Sequence, residues 1–200
     1  MLDAWGGGDE AAGATLVARH FRRVFRFFRG KVVSDAEDLT QRCFMACVEQ
    51  RERMPNEARF RAYLMGICYK QLLMFLRSKG RHDRKHEDFS RMSIEEMTRS
   101  PSRVVAAREE QRLLLTALRR IPVELQVVIE LLYWEEMTVV EIGEALGIPS
   151  GTVKSRLHRA RGLLRARIEE AAESLAVAAS TIDNLERWAR ELREMLPEKA

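Results

Sequence analysis

The chain carries no glycine-rich phosphate loop and no serine placed beside a general base, so nothing in it points to nucleotide hydrolysis or acyl transfer. Cysteine is scarce: Cys43, Cys47 and Cys68 form an odd set without CxxC spacing, which argues against a disulfide framework. Long apolar runs and a signal peptide are missing too, and a reducing cytoplasm is the expected location. Cys43 and Cys47 stand four apart, as do His82 and His86, which is an imaginable Cys/Cys/His/His metal cluster. The two cysteines fall on an apolar helical stripe, however, where a free thiol is an ordinary small core residue, so no metal and no cofactor are expected. Strand signals are absent, and the chain reads as all-α and not as an enzyme.

What is present is an uneven charge. The 200 residues carry a net +4, yet Glu169 to Ala200 holds eight acidic and four basic residues, leaving about +8 on the first 168. The body suits a polyanion and the tail does not. The most informative stretch is MTVVEIGEALGIPSGTVKSRLHRARGLLRAR, Met137 to Arg167. Thr138 and Glu141 have the spacing of a capping box, so a helix is expected to begin near Val139, with Ile142, Ala145 and Leu146 inward and Gly147 as its exit. Ser150 reads as the cap of a second helix, in which Val153, Leu157, Ala160 and Leu164 form one buried stripe. Outside the stripe stand Thr152, Lys154, Ser155, Arg156, His158, Arg159 and Arg161, and no carboxylate occurs from Gly151 to Arg167. Short polar groups and arginine at the helix start, then cations, is the layout a helix-turn-helix needs to meet base edges and phosphates. The same layout also describes a solvated basic face, and bracing the turn is the alternative role for Arg156.

Upstream, residues 1–13 with Gly6-Gly7-Gly8 read as a mobile lead-in. A helix over Ala14 to Arg29 follows, with Leu16, Val17, His20, Phe21, Val24, Phe25 and Phe28 at helical spacing. Ser34 and Glu37 form a second capping-box pattern opening a helix to about Glu52, with Ala36, Leu39, Cys43, Ala46 and Cys47 inward. A third helix, Glu57 to Ser78, is expected to bury Phe60, Leu64, Ile67 and Phe75. Residues 81–105 read as a linker with a short amphipathic turn through Phe89, Met92, Ile94 and Met97. Helices over Arg103 to Arg120 and from Pro122 to about Trp134 then support the helix-turn-helix. The expected division is a first helical domain at 14–80, a second at 106–168 and a helical extension at 169–200. That extension either packs on the second domain or contacts a partner.

SDAEDLTQRCFMACV, then FRAYLMGICYKQLLMFLR, then IPVELQVVIELLYWEEMTVVEIGEALGIPSGTVKSRLHRARGLLR resembles the extracytoplasmic-function class of bacterial sigma factors in order and spacing over roughly residues 10 to 168. The resemblance implies a transcription initiation factor that binds core RNA polymerase and directs it to promoter DNA. Its first domain (region 2) opens the −10 element, its second (region 4) docks the −35 element, and an anti-sigma partner commonly holds it off. Carried onto this chain, Asp35, Glu37, Asp38, Leu39 and Gln41 match the helix that meets polymerase, with capping and dipole compensation as the competing role for Asp35 and Glu37. Thr152, Ser155, Arg156 and Arg159 match the −35 reading positions, with Lys154, His158 and Arg161 on phosphates. The −10 surface falls at Tyr63, Tyr69, Lys70 and Arg77. The family usually shows Trp at Tyr63, Asn at Lys70 and Asp at Met74. Tyr69 and Lys70 therefore either supply stacking and charge to an unpaired strand or are a half-buried tyrosine and a solvated lysine. Two other functions fit parts of the pattern: a helix-turn-helix regulator acting without replacing sigma, and an interaction module that no longer opens promoters.

Overall fold

The structure is a computed structural model that describes residues 1–53, 56–80, 109–172, 175–184 and 187. Among these residues it is helical with no strand. The expected linker at 81–105, its amphipathic turn, His82, His86 and the apolar face at 188–196 lie outside the described residues.

The first lobe contains α1 (Leu2–Gly6), α2 (Glu10–Arg29), α3 (Ala36–Glu49) and α4 (Glu57–Gly80). Residues 1–13 are not a lead-in. Leu2 and Trp5 of α1 are 3% and 6% exposed, and a Cβ on Gly13 would lie 2.5 Å from the Trp5 indole nitrogen, so this glycine is what lets the ring lie against α2. The α2 helix starts at Glu10 rather than Ala14 because Asp9 caps it, its carboxylate accepting from the Ala12 N–H at 3.0 Å. Before α3 the second capping box does not form. A 3-10 turn, Val33–Asp35, occupies the entry, and the Ser34 hydroxyl donates to Asp35 Oδ2 at 2.6 Å instead of accepting from the helix. Phe28, Val24, Leu39, Cys43, Leu64, Cys68, Leu72 and Leu76 make the core of this lobe.

The second lobe contains α5 (Glu109–Arg119), α6 (Val123–Tyr133), α7 (Val139–Leu146), α8 (Ser150–Ala171) and α9 (Leu175–Asp183). The α8 helix lies across α5, α6 and α7, burying Val153, Leu157, Ala160, Leu164 and Ile168 at spacings of four, three, four and four. At about 1.5–3 kcal/mol for each large apolar side chain fully buried, this stripe is what fixes the helix in place and decides which face remains outside. The described part of the extension, α9, packs on α5 and α8 with Ala178 and Thr181 buried.

The two lobes are in contact. The α4 helix lies against α7, and a Cβ on Gly66 would fall 2.5 Å from the Ala145 carbonyl oxygen, so glycine is what permits the approach. The α4 helix does not bury Ile67 and Phe75 as fully as its spacing suggests. Its deepest residues are Phe60, Leu64, Met65, Cys68, Leu72 and Leu76, while Ile67 and Phe75 are half-buried. Ala62 and Gly66 are buried as well, so two sides of the helix are covered.

Candidate nucleic-acid interface

The turn between α7 and α8 is fixed by local chemistry. Thr138 Oγ accepts from the Glu141 N–H at 3.2 Å while Glu141 Oε2 accepts from the Thr138 N–H at 2.7 Å, which closes the capping box. Gly147 leaves the helix at φ 66, and its N–H donates to the Gly143 carbonyl, as does that of Ile148 at 3.0 Å. A Cβ on Gly143 would meet the Ile148 carbonyl at 2.8 Å, so the first glycine of EIGEALG is also required by the tightness of the turn. Ser150 is the first residue of α8 and makes no capping bond. Pro149 occupies the cap, and its carbonyl accepts from the Val153 N–H at 3.1 Å.

From that start α8 presents Lys154, Ser155, His158, Arg159 and Arg161 to solvent, with Thr152 half-buried. Ser155 donates its hydroxyl proton to the Thr152 carbonyl at 2.9 Å. Arg161 is held against Tyr133, its Nε donating to the phenol oxygen at 3.1 Å and its guanidinium standing 5.8 Å from the ring centre. Arg156 is used differently. It is half-buried and pairs with Glu124 at 2.7 Å, tying α8 to the start of α6. The bracing role is the one this geometry fills. Further along, Arg165 and Arg167 pair with Glu169 and Glu170 on the solvent side, contacts that contribute little in water.

On α4, Tyr63, Lys70 and Arg77 recur at intervals of seven, so they share one side of the helix, and Met74, 60% exposed, adjoins them. Burial and the nearby Cys47 push the Tyr63 phenol above its ordinary range, and its ring lies 6.4 Å from Phe60. Tyr69 stands about 100° round the helix from Lys70, in line with Ala62, and is half-buried. The structure thus groups three of the four expected −10 residues on one side of α4 and sets Tyr69 apart from them. On α3, Glu37, Asp38 and Gln41 are exposed and Asp35 is half-buried, and Asp38 pairs with Arg42 at 2.8 Å. Leu39 is fully buried, so it packs the core and leaves the surface role to its neighbours. The three thiols, Cys43, Cys47 and Cys68, are buried too; desolvation pushes Cys47 up to about 12 and raises Cys68. Among the described residues no group of His, Cys, Asp and Glu is placed to hold a metal ion, and no helix is long and apolar enough to cross a membrane.

One constellation was missed by sequence reasoning. Arg23 and Arg26 of α2 both bind the carboxylate of Glu135, the latter at 2.5 Å, and the Glu135 side chain is only 4% exposed. Lys31, whose ammonium is fully buried above the Phe27 ring at 3.8 Å, binds Glu130. Arg61 of α4 binds Glu141 at 2.5 Å and donates to the Glu135 carbonyl at 3.2 Å. In the other direction, Arg119 donates to the carbonyls of Gly30 and Lys31 at 3.3 Å. Glu135 is delivered by a strained turn, since Glu136 beside it has φ 51. Burial works to raise the Glu141 carboxyl, but the hydrogen bonds from Thr138 and Arg61 outweigh it and hold the group below its usual range. Burial lowers the Lys31 ammonium, against the pull of Glu130. The available signal was a lone charge inside an apolar run: Lys31 before Val32-Val33, and Glu130 within VVIELLYW.

Comparison with known proteins gives two family matches in chain order: sigma-70 region 2 over residues 16–82 and sigma-70 region 4 over residues 111–164. Among curated relatives, the ECF RNA polymerase sigma factor SigE of Mycolicibacterium smegmatis is 32% identical, the alignment covering 79% of this chain and 63% of that protein. The RNA polymerase sigma-E factor of Streptomyces coelicolor is 31% identical over 78% of this chain and 82% of its own length. The ECF RNA polymerase sigma factor SigW of Bacillus subtilis is 26% identical over 82% and 92%. A solved structure of CnrH in complex with the cytosolic domain of CnrY shares the fold, with a TM-score of 0.58 at 22% identity, covering 86% of this chain and 96% of that one.

Proposed function

Because the chain belongs to the ECF RNA polymerase sigma factors, promoter-directing factors of transcription initiation, we propose that its two lobes divide promoter recognition as region 2 and region 4, over residues 14–80 and 106–168. The observation that carries this reading is the outward face of α8, where Lys154, Ser155, His158 and Arg159 stand exposed behind a rigidly built turn, with no carboxylate between Gly151 and Arg167. In the major groove of the −35 element, Thr152, Ser155 and Arg159 meet base edges, and Lys154, His158 and Arg161 meet phosphates. Arg156 orients the helix through Glu124.

On α4 the side carrying Tyr63, Lys70, Met74 and Arg77 receives the unpaired −10 strand by stacking and charge. Core polymerase docks on the exposed acidic side of α3, at Glu37, Asp38 and Gln41, with Asp35 at its edge. The site of action is the cytoplasm, where the polymerase works. That CnrH has been captured with a cytosolic partner domain supports an anti-sigma partner for this chain as well. A helix-turn-helix regulator working without polymerase needs only the second lobe, and the region 2 match at residues 16–82 favours the sigma reading over it.

Run-off transcription with purified core polymerase on a promoter library tests the assignment. The expected result is new start sites that appear only when this chain is added. Start sites that do not depend on it overturn the reading.

A further inference from the structure

The cations that meet carboxylates across the junction are drawn from one side of the first lobe: Arg23, Arg26 and Lys31 along the C-terminal half of α2 and just beyond it, and Arg61 near the start of α4. The groups that meet them, Glu130, Glu135 and Glu141, come from the end of α6, the turn after it and the start of α7. Three carboxylates therefore sit against a basic groove at hydrogen-bonding distance, as successive backbone phosphates of a nucleic acid do.

The closed arrangement is incompatible with a promoter held at both ends. Elements named −35 and −10 lie about 25 base pairs apart, about 85 Å along a duplex at 3.4 Å per pair. The longest helix here, α4 with 24 residues, spans only about 36 Å, and it lies directly against the second lobe. Engagement of both elements separates the lobes, and separation strips Glu130, Glu135 and Glu141 from the groove. Four cations that lose their counter-charges then face water or the nearest polyanion. Beside the packed α4–α7 contact the junction carries four ion-paired cations, and polar contacts between domains are characteristic of surfaces that come apart.

We propose that the groove formed by Arg23, Arg26, Lys31 and Arg61 is a second binding site for the DNA sugar-phosphate backbone, and that Glu130, Glu135 and Glu141 of the second lobe occupy it as phosphate surrogates until the lobes part. The proposal rests on the sigma assignment for the identity of the polyanion and for what parts the lobes. It requires no polymerase for its test.

The test uses the full chain and a fluorescein-labelled 30-base-pair duplex of mixed sequence, with lobe separation followed by small-angle scattering and folding by circular dichroism. The E130Q/E135Q/E141Q variant is expected to widen in scattering and to bind the duplex at least tenfold more tightly at 0.1 M salt. The slope of log affinity against log salt becomes steeper by about 2 to 3, since each new phosphate contact adds about 0.9. Adding R23Q/R61Q to that variant returns the slope towards the parent value. Gly66→Val keeps every charge and pushes the lobes apart sterically, so it yields the same steepening even where the triple variant fails to fold. A variant that widens while affinity and salt slope stay at the parent values overturns the proposal. So does a folded triple variant that stays compact, because the glutamates then do not hold the groove. Lys154→Ala, at a phosphate contact of the recognition helix, lowers affinity equally in both backgrounds, and absence of run-off activity alongside a steepened slope leaves the groove standing while removing the sigma reading.

Discussion

The outward face of α8 and the inward face of α2 with α4 are both rich in arginine, yet the fold treats them in opposite ways. On α8 the buried stripe of Val153, Leu157, Ala160, Leu164 and Ile168 turns Lys154, His158 and Arg159 to solvent. On α2 and α4 the cations Arg23, Arg26, Lys31 and Arg61 are each met by a glutamate from across the lobe junction. The lesson is that a basic residue does not declare its role by its type or by its own helix. Whether a carboxylate reaches it is settled by an element 80 to 112 positions away.

The comparison breaks most sharply at Gly66, where any side chain must displace the Ala145 carbonyl. Gly66→Val is expected to cost the lobe junction on the order of 3 kcal/mol and to raise the radius of gyration seen in scattering, while helical content stays the same. An unchanged radius would mean that the junction yields locally and that the glycine is not what sets the approach. Within α8, Arg156 and Arg159 separate the two uses of arginine on one helix. Arg156→Ala leaves buried Glu124 without its partner and should lower unfolding free energy by about 2 kcal/mol in denaturant titrations. Arg159→Ala leaves stability within about 0.5 kcal/mol of the parent and instead costs about 1–3 kcal/mol in binding, confined to one position of the −35 element. Equal stability losses for the two variants would erase the distinction.

A pH dependence sharpens the inward side. His20, packed edge-on against Phe60 at 5.2 Å, has its pKa lowered from 6.5 to about 4, by burial first and by Arg23 and Arg19 second. The unfolded chain therefore takes up this proton before the folded one does. The stabilisation is complete above pH 6.5 and is lost as pH falls towards 4, roughly 1–2 kcal/mol after allowance for partial solvent screening. Urea titrations of the parent and of His20→Gln at pH 7.5 and 4.5 check this, and a parallel pH dependence in both proteins would assign the effect to the glutamates instead. The smallest change is at Glu136, whose φ of 51 a glycine adopts without strain. Glu136→Gly should gain about 1 kcal/mol, read as a rise in denaturation midpoint.

Much of the second lobe was legible because its signals are local. The Thr138 and Glu141 capping box, the Gly147 exit and the α8 stripe each involve residues within a few positions of one another. The pattern at Ser34 and Glu37 failed for an equally local reason, a 3-10 turn in which the serine hydroxyl is spent on Asp35. Trp5 was missed because its partner is the bare backbone face at Gly13, and glycine leaves no mark in a hydrophobic pattern. On α4 the reading blurred because the helix is covered on two sides, which spreads apolar residues around it and weakens any single stripe. Leu39 sat among exposed acids in SDAEDLTQR, and only its complete burial separates it from them. The lobe junction left almost no trace, since ion pairs between distant segments have no period.

All three sulfhydryls of the chain are buried in the first lobe's interior. The exterior is therefore a blank canvas for maleimide chemistry. One cysteine introduced on each lobe would carry a dye or spin label with no need to remove the natural ones, and the parting of the lobes on promoter DNA becomes a distance that can be watched in real time.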